Sequence, residues 1–172
     1  MVTLDAPGQR LVAPEPRIRR YVAEDRGWVD ELLRNAGAQM RIRRGAAVEP
    51  AKYAGFVYEH AGLGKGIITF RRSGQQLEVV AAAAELADPE ILGQLIDVAV
   101  ANAPDSCRRL WVVCHNAEFR LHQVLQRHRF RLCGVRPGAY EITRTRLNLL
   151  HLPAQVGGVE IRDELEFEFL PR

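Results

Sequence analysis

The chain has 172 residues, 47% of them hydrophobic and 26% charged, a composition typical of one soluble globular domain that excludes a disordered, collagen-like or coiled-coil chain. No apolar stretch approaches the roughly 20 residues of a membrane-spanning helix, and nothing resembles a signal peptide, so we expect a cytoplasmic protein without a membrane partner. The 24 Lys and Arg against 21 Asp and Glu give a net charge of +3. Because the arginines are scattered, we expect no nucleic-acid partner.

The first half of the chain predicts a meander of antiparallel strands. Residues 1–16 contain three prolines without apolar periodicity, which predicts a loosely ordered lead-in to a single domain over 17–172. Asp25 is the predicted cap of a helix that ends near Ala36. The glycine-rich segment 62–66 predicts a turn between two strands. The predicted strands of this half cover 17–22, 40–44, 56–60, 67–71 and 77–83.

The second half predicts alternating strands and helices. Asp88, Pro89 and Glu90 are a capping residue, a proline at the first helical position and a first-turn carboxylate, which predict a helix to about residue 102. Strands are predicted over 109–114, 130–135 and 161–170, a second helix over 117–128, and a long connection after Pro137. A meander that feeds a strand–helix–strand–helix–strand unit predicts a mixed α/β (α+β) single domain.

The cysteines and histidines predict no metal centre. Cys107, Cys114 and Cys133 are an odd number without CxxC spacing, which indicates reduced thiols. The histidines of the second half lack the HxxxH or HxH spacing of a zinc site.

The order of elements over about 17–170 resembles the GNAT superfamily of acyl-CoA N-acyltransferases. The stretch 107–116, with Phe119, Arg120 and 126–132, is similar to the family's fifth strand, fourth helix and sixth strand. Residues 136–139 and 161–168 are similar to one bacterial branch of the superfamily. The resemblance implies a mostly antiparallel sheet with helices on both faces and a parallel pair, the fourth and fifth strands, that splays at a cleft.

The resemblance also implies an acyl-CoA site, from which this sequence departs. GNAT members bind the pyrophosphate on a Q/R-x-x-G-x-G/A loop before a helix, and at that position only Gly93 matches while Asp88 replaces Gln or Arg. Glu118, Leu125 and Arg129 replace a cofactor-contacting asparagine, a thiolate-protonating tyrosine and a glycine.

Two outcomes therefore stay open for the cofactor. If acetyl-CoA or another acyl-CoA binds, the resemblance implies contacts from Ala81, Ala83 and Gly93. In the second outcome, acetyl-CoA binds poorly or not at all. We expect this outcome because the carboxylates of Asp88 and Glu90 occupy the start of the helix.

The candidate catalytic residues are Glu78 and His115. Glu78 lies early in the fourth strand, where the family places a general base; the alternative is a solvated strand carboxylate. His115 ends the fifth strand at the carboxyl edge, where α/β sheets bind ligands. We expect both side chains to point into one cavity, with His128 near solvent. The candidate substrate-binding residues are Asn116, Glu118, His122, Tyr140 and Glu141, with polar helix surface as the alternative for Glu118 and His122.

Two classes of function fit these residues. The first is an enzyme that acts on a small molecule in the cleft, either by conventional acetyl-CoA-dependent N-acetyl transfer or by another reaction on a repurposed scaffold. The second is a non-catalytic GNAT-like binding or assembly module. A cavity lined by the candidate side chains favours the enzyme, and a cleft filled by apolar side chains favours the module. A monomer and a homodimer are both compatible with the apolar residues of the final strand.

Overall fold

The structure is a computed structural model that describes residues 15–171. Almost all of the predicted lead-in over 1–16 lies outside the described residues, so the division into a lead-in and one domain over 17–172 stays a prediction. The first elements are β1 (Arg17–Arg20), α1 (Arg26–Asn35), β2 (Arg41–Arg43), β3 (Ala46–Val48), β4 (Gly55–His60), β5 (Leu63–Ser73) and β6 (Gln76–Ala84). They are followed by α2 (Pro89–Ala101), β7 (Arg109–His115), α3 (Phe119–Arg127), β8 (Arg131–Arg136), α4 (Ala139–Arg146), β9 (Gln155–Val156), β10 (Val159–Glu160) and β11 (Glu164–Phe169).

Seven of the strands form one sheet in the order β1-β4-β5-β6-β7-β11-β8. All neighbours are antiparallel except β6 and β7, which are the fourth and fifth strands of the predicted arrangement. The predicted α+β fold class, with one parallel pair in a mostly antiparallel sheet, is therefore confirmed.

The parallel pair separates part of the way along its length. The ladder runs from Gln76–Arg109 to Val79–Val112 and stops there, although β6 continues to Ala84 and β7 to His115. At the same level the β5–β6 register shifts, so that Val80 is an extra residue in β6. Such a bulge bends the strand that carries it, and it accounts for the opening of a cleft between β6 and β7.

Helices cover both faces of the sheet. On one face α2 and α3 pack on β6, β7 and β11 and form the larger apolar cluster of the fold, in which Leu95 and Leu125 are fully buried. On the other face Val29 and Leu33 of α1 pack against Ile67 and Ala81. A third cluster joins β2, α4 and the chain before β11. The cleft thus opens between two apolar layers.

Two sequence predictions about local structure are wrong. Residues 63–66 are not a turn but the start of β5, since the turn lies at Ala61 and Gly62. Gly64 and Gly66 are needed inside this strand because an added Cβ would lie 2.6 Å from the Trp28 ring and 2.7 Å from Ile91.

The predicted long connection after Pro137 contains structure that the sequence did not indicate. It holds α4 and the short ribbon of β9 and β10. The ribbon β2–β3 likewise extends the predicted strand 40–44 into a hairpin. These pieces lie around the open end of the cleft.

Candidate active-site cleft

A cavity of about 270 Å³ lies between the separated ends of β6 and β7. Seven of its fourteen lining residues are alanines, contributed by β6 and by the segments that follow α1 and precede α2 and α3. Small side chains from four directions leave the space open. The polar groups on its walls include His115 and Glu118, which the sequence predicted, and Arg120, which is exposed to solvent.

A buried ion pair between Arg41 and Glu118 lies beside this cavity. Nη1 of Arg41 is 2.5 Å from Oε1 of Glu118, and Nη2 donates to Oε2 at 2.8 Å. The two side chains are only 8% and 17% exposed. Burial by itself raises the pKa of Glu118, but the attraction of Arg41 outweighs burial and the pKa falls to about 2. The carboxylate therefore stays ionised at neutral pH.

The same pair occupies the free edge of β7. Nη2 of Arg41 donates to the carbonyl of Val113 at 3.1 Å, and Oε2 of Glu118 accepts from the amide of His115 at 2.8 Å. Both backbone groups lie beyond the last β6–β7 pair, where a strand or an extended ligand would otherwise bond to them. The protein thus satisfies this edge with its own side chains.

His115 lines the cavity as a neutral imidazole. Burial lowers its pKa below the usual value near 6.5, an effect that Glu118 only partly offsets. Nδ1 accepts from the amide of Ala117 at 3.2 Å, so the proton of the neutral ring is on Nε2. Nε2 lies 3.8 Å from Oε2 of Glu118, too far for a hydrogen bond. This N–H is available to a molecule in the cavity.

Glu78 does not share the cavity with His115, so the expectation of a joint cavity is wrong. It lies opposite Trp111 in the paired part of the two strands, before they separate. It is 1% exposed, and its carboxylate is 2.5 Å from Nε of Arg43 and 2.9 Å from Nη2 of Arg71. The alternative of a solvated carboxylate is wrong as well, since the side chain is fully buried.

Two other predicted substrate-binding residues, Asn116 and Tyr140, fix the segments next to the cleft. The side chain of Asn116 accepts from the amides of Arg162 and Asp163. The hydroxyl of Tyr140 donates to the carbonyl of Pro153 at 3.0 Å, and its ring meets His115 edge-on at 5.7 Å. These contacts hold the segments next to the cavity without lining it.

The remaining two predicted residues also lie off the cavity wall. Nε2 of His122 donates to the carbonyl of His115 at 3.1 Å, and burial lowers the pKa of its ring. Glu141 is exposed on α4. Of the five predicted substrate-binding residues, Glu118 is the one that lines the cavity.

The start of α2 is capped as the sequence predicted. Oδ1 of Asp88 accepts from the amides of Glu90 and Ile91 at 2.8 and 3.2 Å. These are the donors that a helix offers to a phosphate. Glu90 adds a second negative charge in the first turn.

The residues implied as acyl-CoA contacts are divided between the cavity and the core. Ala81 and Ala83 are both buried under α1, and Ala83 also lines the cavity. Gly93 faces His128, because a Cβ there would lie 2.8 Å from Nε2 of that ring. Nδ1 of His128 is in turn 2.6 Å from Asp97. His128 lies at the end of α3 with its side chain 25% exposed, in agreement with the expectation that it is near solvent.

Arg41 is the functional-site residue that sequence reasoning missed. It lies in the predicted strand 40–44, where arginine is unremarkable, and its partner is 77 residues away. The available signal was indirect: a carboxylate at the inner edge of a cleft, such as Glu118, requires a buried positive partner.

Known structures share this fold over nearly the whole chain. An IAA acetyltransferase from Bacillus cereus superposes with a TM-score of 0.67 at 15% identity, covering 91% of this chain and all of that one. A GNAT family acetyltransferase from Elizabethkingia anophelis with acetyl-CoA bound has a TM-score of 0.63 at 13% identity, covering 91% and 98%. An acetyltransferase from Bacillus subtilis in complex with CoA has a TM-score of 0.64 at 12% identity, covering 92% and 100%.

These likenesses define the class of structure: the chain has the GNAT acetyltransferase fold. No family model and no curated protein matches the sequence. Within residues 15–171 no helix is long and apolar enough to cross a membrane. Over that same range no three His, Cys, Asp or Glu side chains are grouped to bind a metal ion.

Proposed function

We propose that the protein is a GNAT-fold enzyme that acts on a small molecule in the cleft between β6 and β7, with weak or lost use of acetyl-CoA. The observation that carries this proposal is the Arg41–Glu118 pair, which bonds to the edge of β7 inside the cleft. A cavity remains beside the pair, and His115 lines it. An open cavity with polar groups supports an enzyme over an assembly module.

Acetyl-CoA fits this cleft poorly at both ends. Its pyrophosphate needs free amides at the start of α2, and Asp88 already accepts from two of them, with Glu90 adjacent. Its pantetheine arm carries amides that bond to a free strand edge, and because Arg41 and Glu118 occupy the edge of β7, only the end of β6 beyond Val79 is left for them. The repulsion between the carboxylates of Asp88 and Glu90 and the pyrophosphate, together with the loss of free backbone donors, lowers the affinity for acetyl-CoA by about a hundredfold or more.

Within the proposed reaction His115 is the proton-transferring residue. His115 lines the cavity and its Nε2–H makes no hydrogen bond to a residue from 15 to 171, so it can donate to a substrate oxygen or nitrogen and give up the proton when a basic atom develops there. Glu118 is a positioning residue, because it holds the backbone amide of His115 while its charge is balanced by Arg41. Glu78 is not assigned a role, since it lies outside the cavity.

Conventional N-acetyl transfer is the second candidate. It is favoured by the likeness to structures with acetyl-CoA or CoA bound and by a cavity that Ala83 lines. The two candidates differ in one measurable quantity, the affinity for acetyl-CoA.

Isothermal titration of the purified protein with acetyl-CoA distinguishes them. We expect no saturable binding up to a concentration of about 1 mM. The double variant Asp88→Ser, Glu90→Gln should gain measurable binding, because serine keeps a cap while two charges are removed. The variant Glu31→Gln, which removes an exposed charge on α1, is the matched control and should bind no better than the parent. A dissociation constant in the low micromolar range for the unmodified protein would establish acetyl transfer instead.

A further inference from the structure

The chemistry of the cavity walls limits the molecule that can occupy it. A volume of about 270 Å³, filled at the density of a protein interior, holds roughly ten non-hydrogen atoms. The alanines of β6 and of the adjoining segments make most of the wall apolar. A compact, largely hydrophobic body fits this space.

The negative charge on the wall is already balanced. Both oxygens of Glu118 are engaged, one by Nη1 of Arg41 and the other by Nη2 of Arg41 and the amide of His115. A cation in the cavity would have to compete with Arg41 for this carboxylate. An anion would lie beside this carboxylate, and the other charged residue of the wall, Arg120, is exposed, so that solvent screens any pairing with it.

Apart from the exposed Arg120, one polar atom of the wall is left to recognise a ligand. Nδ1 of His115 is bonded to the amide of Ala117, and its Nε2–H makes no hydrogen bond to any residue from 15 to 171. The edge-on contact with Tyr140 holds the plane of this ring. A single donor on a fixed ring selects a ligand with one acceptor at a set position.

We infer that the cavity takes an uncharged, largely apolar molecule of roughly ten non-hydrogen atoms with one hydrogen-bond acceptor, held by Nε2–H of His115. A carbonyl group or an aromatic ring nitrogen meets this description. The inference names the substrate class of the proposed function and rests on it.

Three probes with nine non-hydrogen atoms each test the inference by proton–nitrogen NMR. Acetophenone has a carbonyl acceptor, α-methylstyrene replaces the carbonyl oxygen by CH₂, and benzoate carries a negative charge. We expect acetophenone to shift the amides of Ala83 and Ala117 and to bind about five- to tenfold more tightly than α-methylstyrene, which is the effect of one hydrogen bond. Benzoate should bind more weakly than both.

Matched variants assign the effect to the cavity and to its donor. His115→Phe keeps the ring volume and removes the N–H, so it should abolish the preference for acetophenone, whereas His151→Phe on the surface should not. Ala83→Leu fills the cavity and should abolish binding of all three probes, and Ala101→Leu on the exposed end of α2 should leave it unchanged.

The outcomes separate this inference from the proposed function. Equal binding of acetophenone and α-methylstyrene, or tightest binding of benzoate, would overturn the ligand class while the cavity stays the site. The absence of any shift at Ala83 and Ala117 with all three probes would overturn the inference entirely. The acetyl-CoA titration decides the proposed function in either case.

Discussion

Two arginines of the same three-residue strand form two very different ion pairs. Arg41 and Arg43 lie on one face of β2, two residues apart, and each is buried against a glutamate. In the Arg41–Glu118 pair every carboxylate oxygen has a hydrogen-bond donor. In the pair of Arg43 with Glu78, the 2.5 Å approach does not have the geometry of a hydrogen bond.

The pKa values of the two glutamates are shifted in opposite directions. The pKa of Glu118 falls to about 2, because Arg41 outweighs burial. Burial raises the pKa of Glu78, and neither Arg43 nor Arg71 fully offsets it. Proximity to an arginine therefore does not by itself lower the pKa of a buried carboxylate. The well-bonded pair is the one beside the cavity.

The largest expected effect is on the stability of the well-bonded pair. Arg41→Ala leaves the charge of Glu118 buried and unpaired, so we expect the free energy of unfolding to fall by about 3–5 kcal/mol in urea titrations. Arg26→Ala, which breaks an exposed pair with Asp30, is the control and should cost about 0.5 kcal/mol or less. A loss for Arg41→Ala no larger than that of the control would contradict the comparison.

The second effect is a loss of stability in acid that depends on Glu118. A depressed pKa stabilises the fold above the unfolded value near 4.5, and this contribution is lost as the pH falls towards about 2. The stability difference between the parent and Glu118→Gln should shrink by about 3 kcal/mol between pH 6 and pH 2. Asp25 and Glu166 also have a pKa of about 2, but they are present in both proteins and cancel. A constant difference over this range would show that Glu118 is not ionised by its partner.

The third effect is smaller and has the opposite sign. Because the pKa of Glu78 is raised, its carboxylate destabilises the fold as the pH rises from the unfolded pKa through the folded one. The parent should therefore lose stability relative to Glu78→Gln over this rise. At neutral pH the variant should differ from the parent by about 1 kcal/mol or less. Urea titrations at pH 4 and pH 7 measure both quantities. If Glu78→Gln lowered the free energy of unfolding by more than about 3 kcal/mol, the Glu78 pair would stabilise the fold as strongly as the Glu118 pair, which contradicts the comparison.

The sequence predicted the elements whose signals are local. The start of α2 was predicted from Asp88, Pro89 and Glu90, and the side chain of Asp88 caps the helix as expected. The buried run of β7 was also identified, and with it the position of His115 at the edge of the cleft. These features depend on residues within a few positions of one another, so a single sequence contains the information.

The parts that the sequence did not predict depend on distant partners. Gly64 looks like a turn residue until Trp28 is seen to pack over it. The helix α4 begins after Gly138 in a left-handed conformation and is mostly polar, so apolar periodicity does not indicate it. The pairing of Arg41 with Glu118 joins two segments that only the complete fold brings together.

The hydrogen bond between Glu118 and the amide of His115 makes that amide a reporter of local opening. Its proton is held by a side chain rather than by a neighbouring strand, so its exchange with deuterium requires the hydrogen bond to Glu118 to break. The amides inside the β7–β11 ladder exchange only when the sheet itself opens. The ratio of these exchange rates therefore measures how often the cleft loosens while the rest of the fold stays intact.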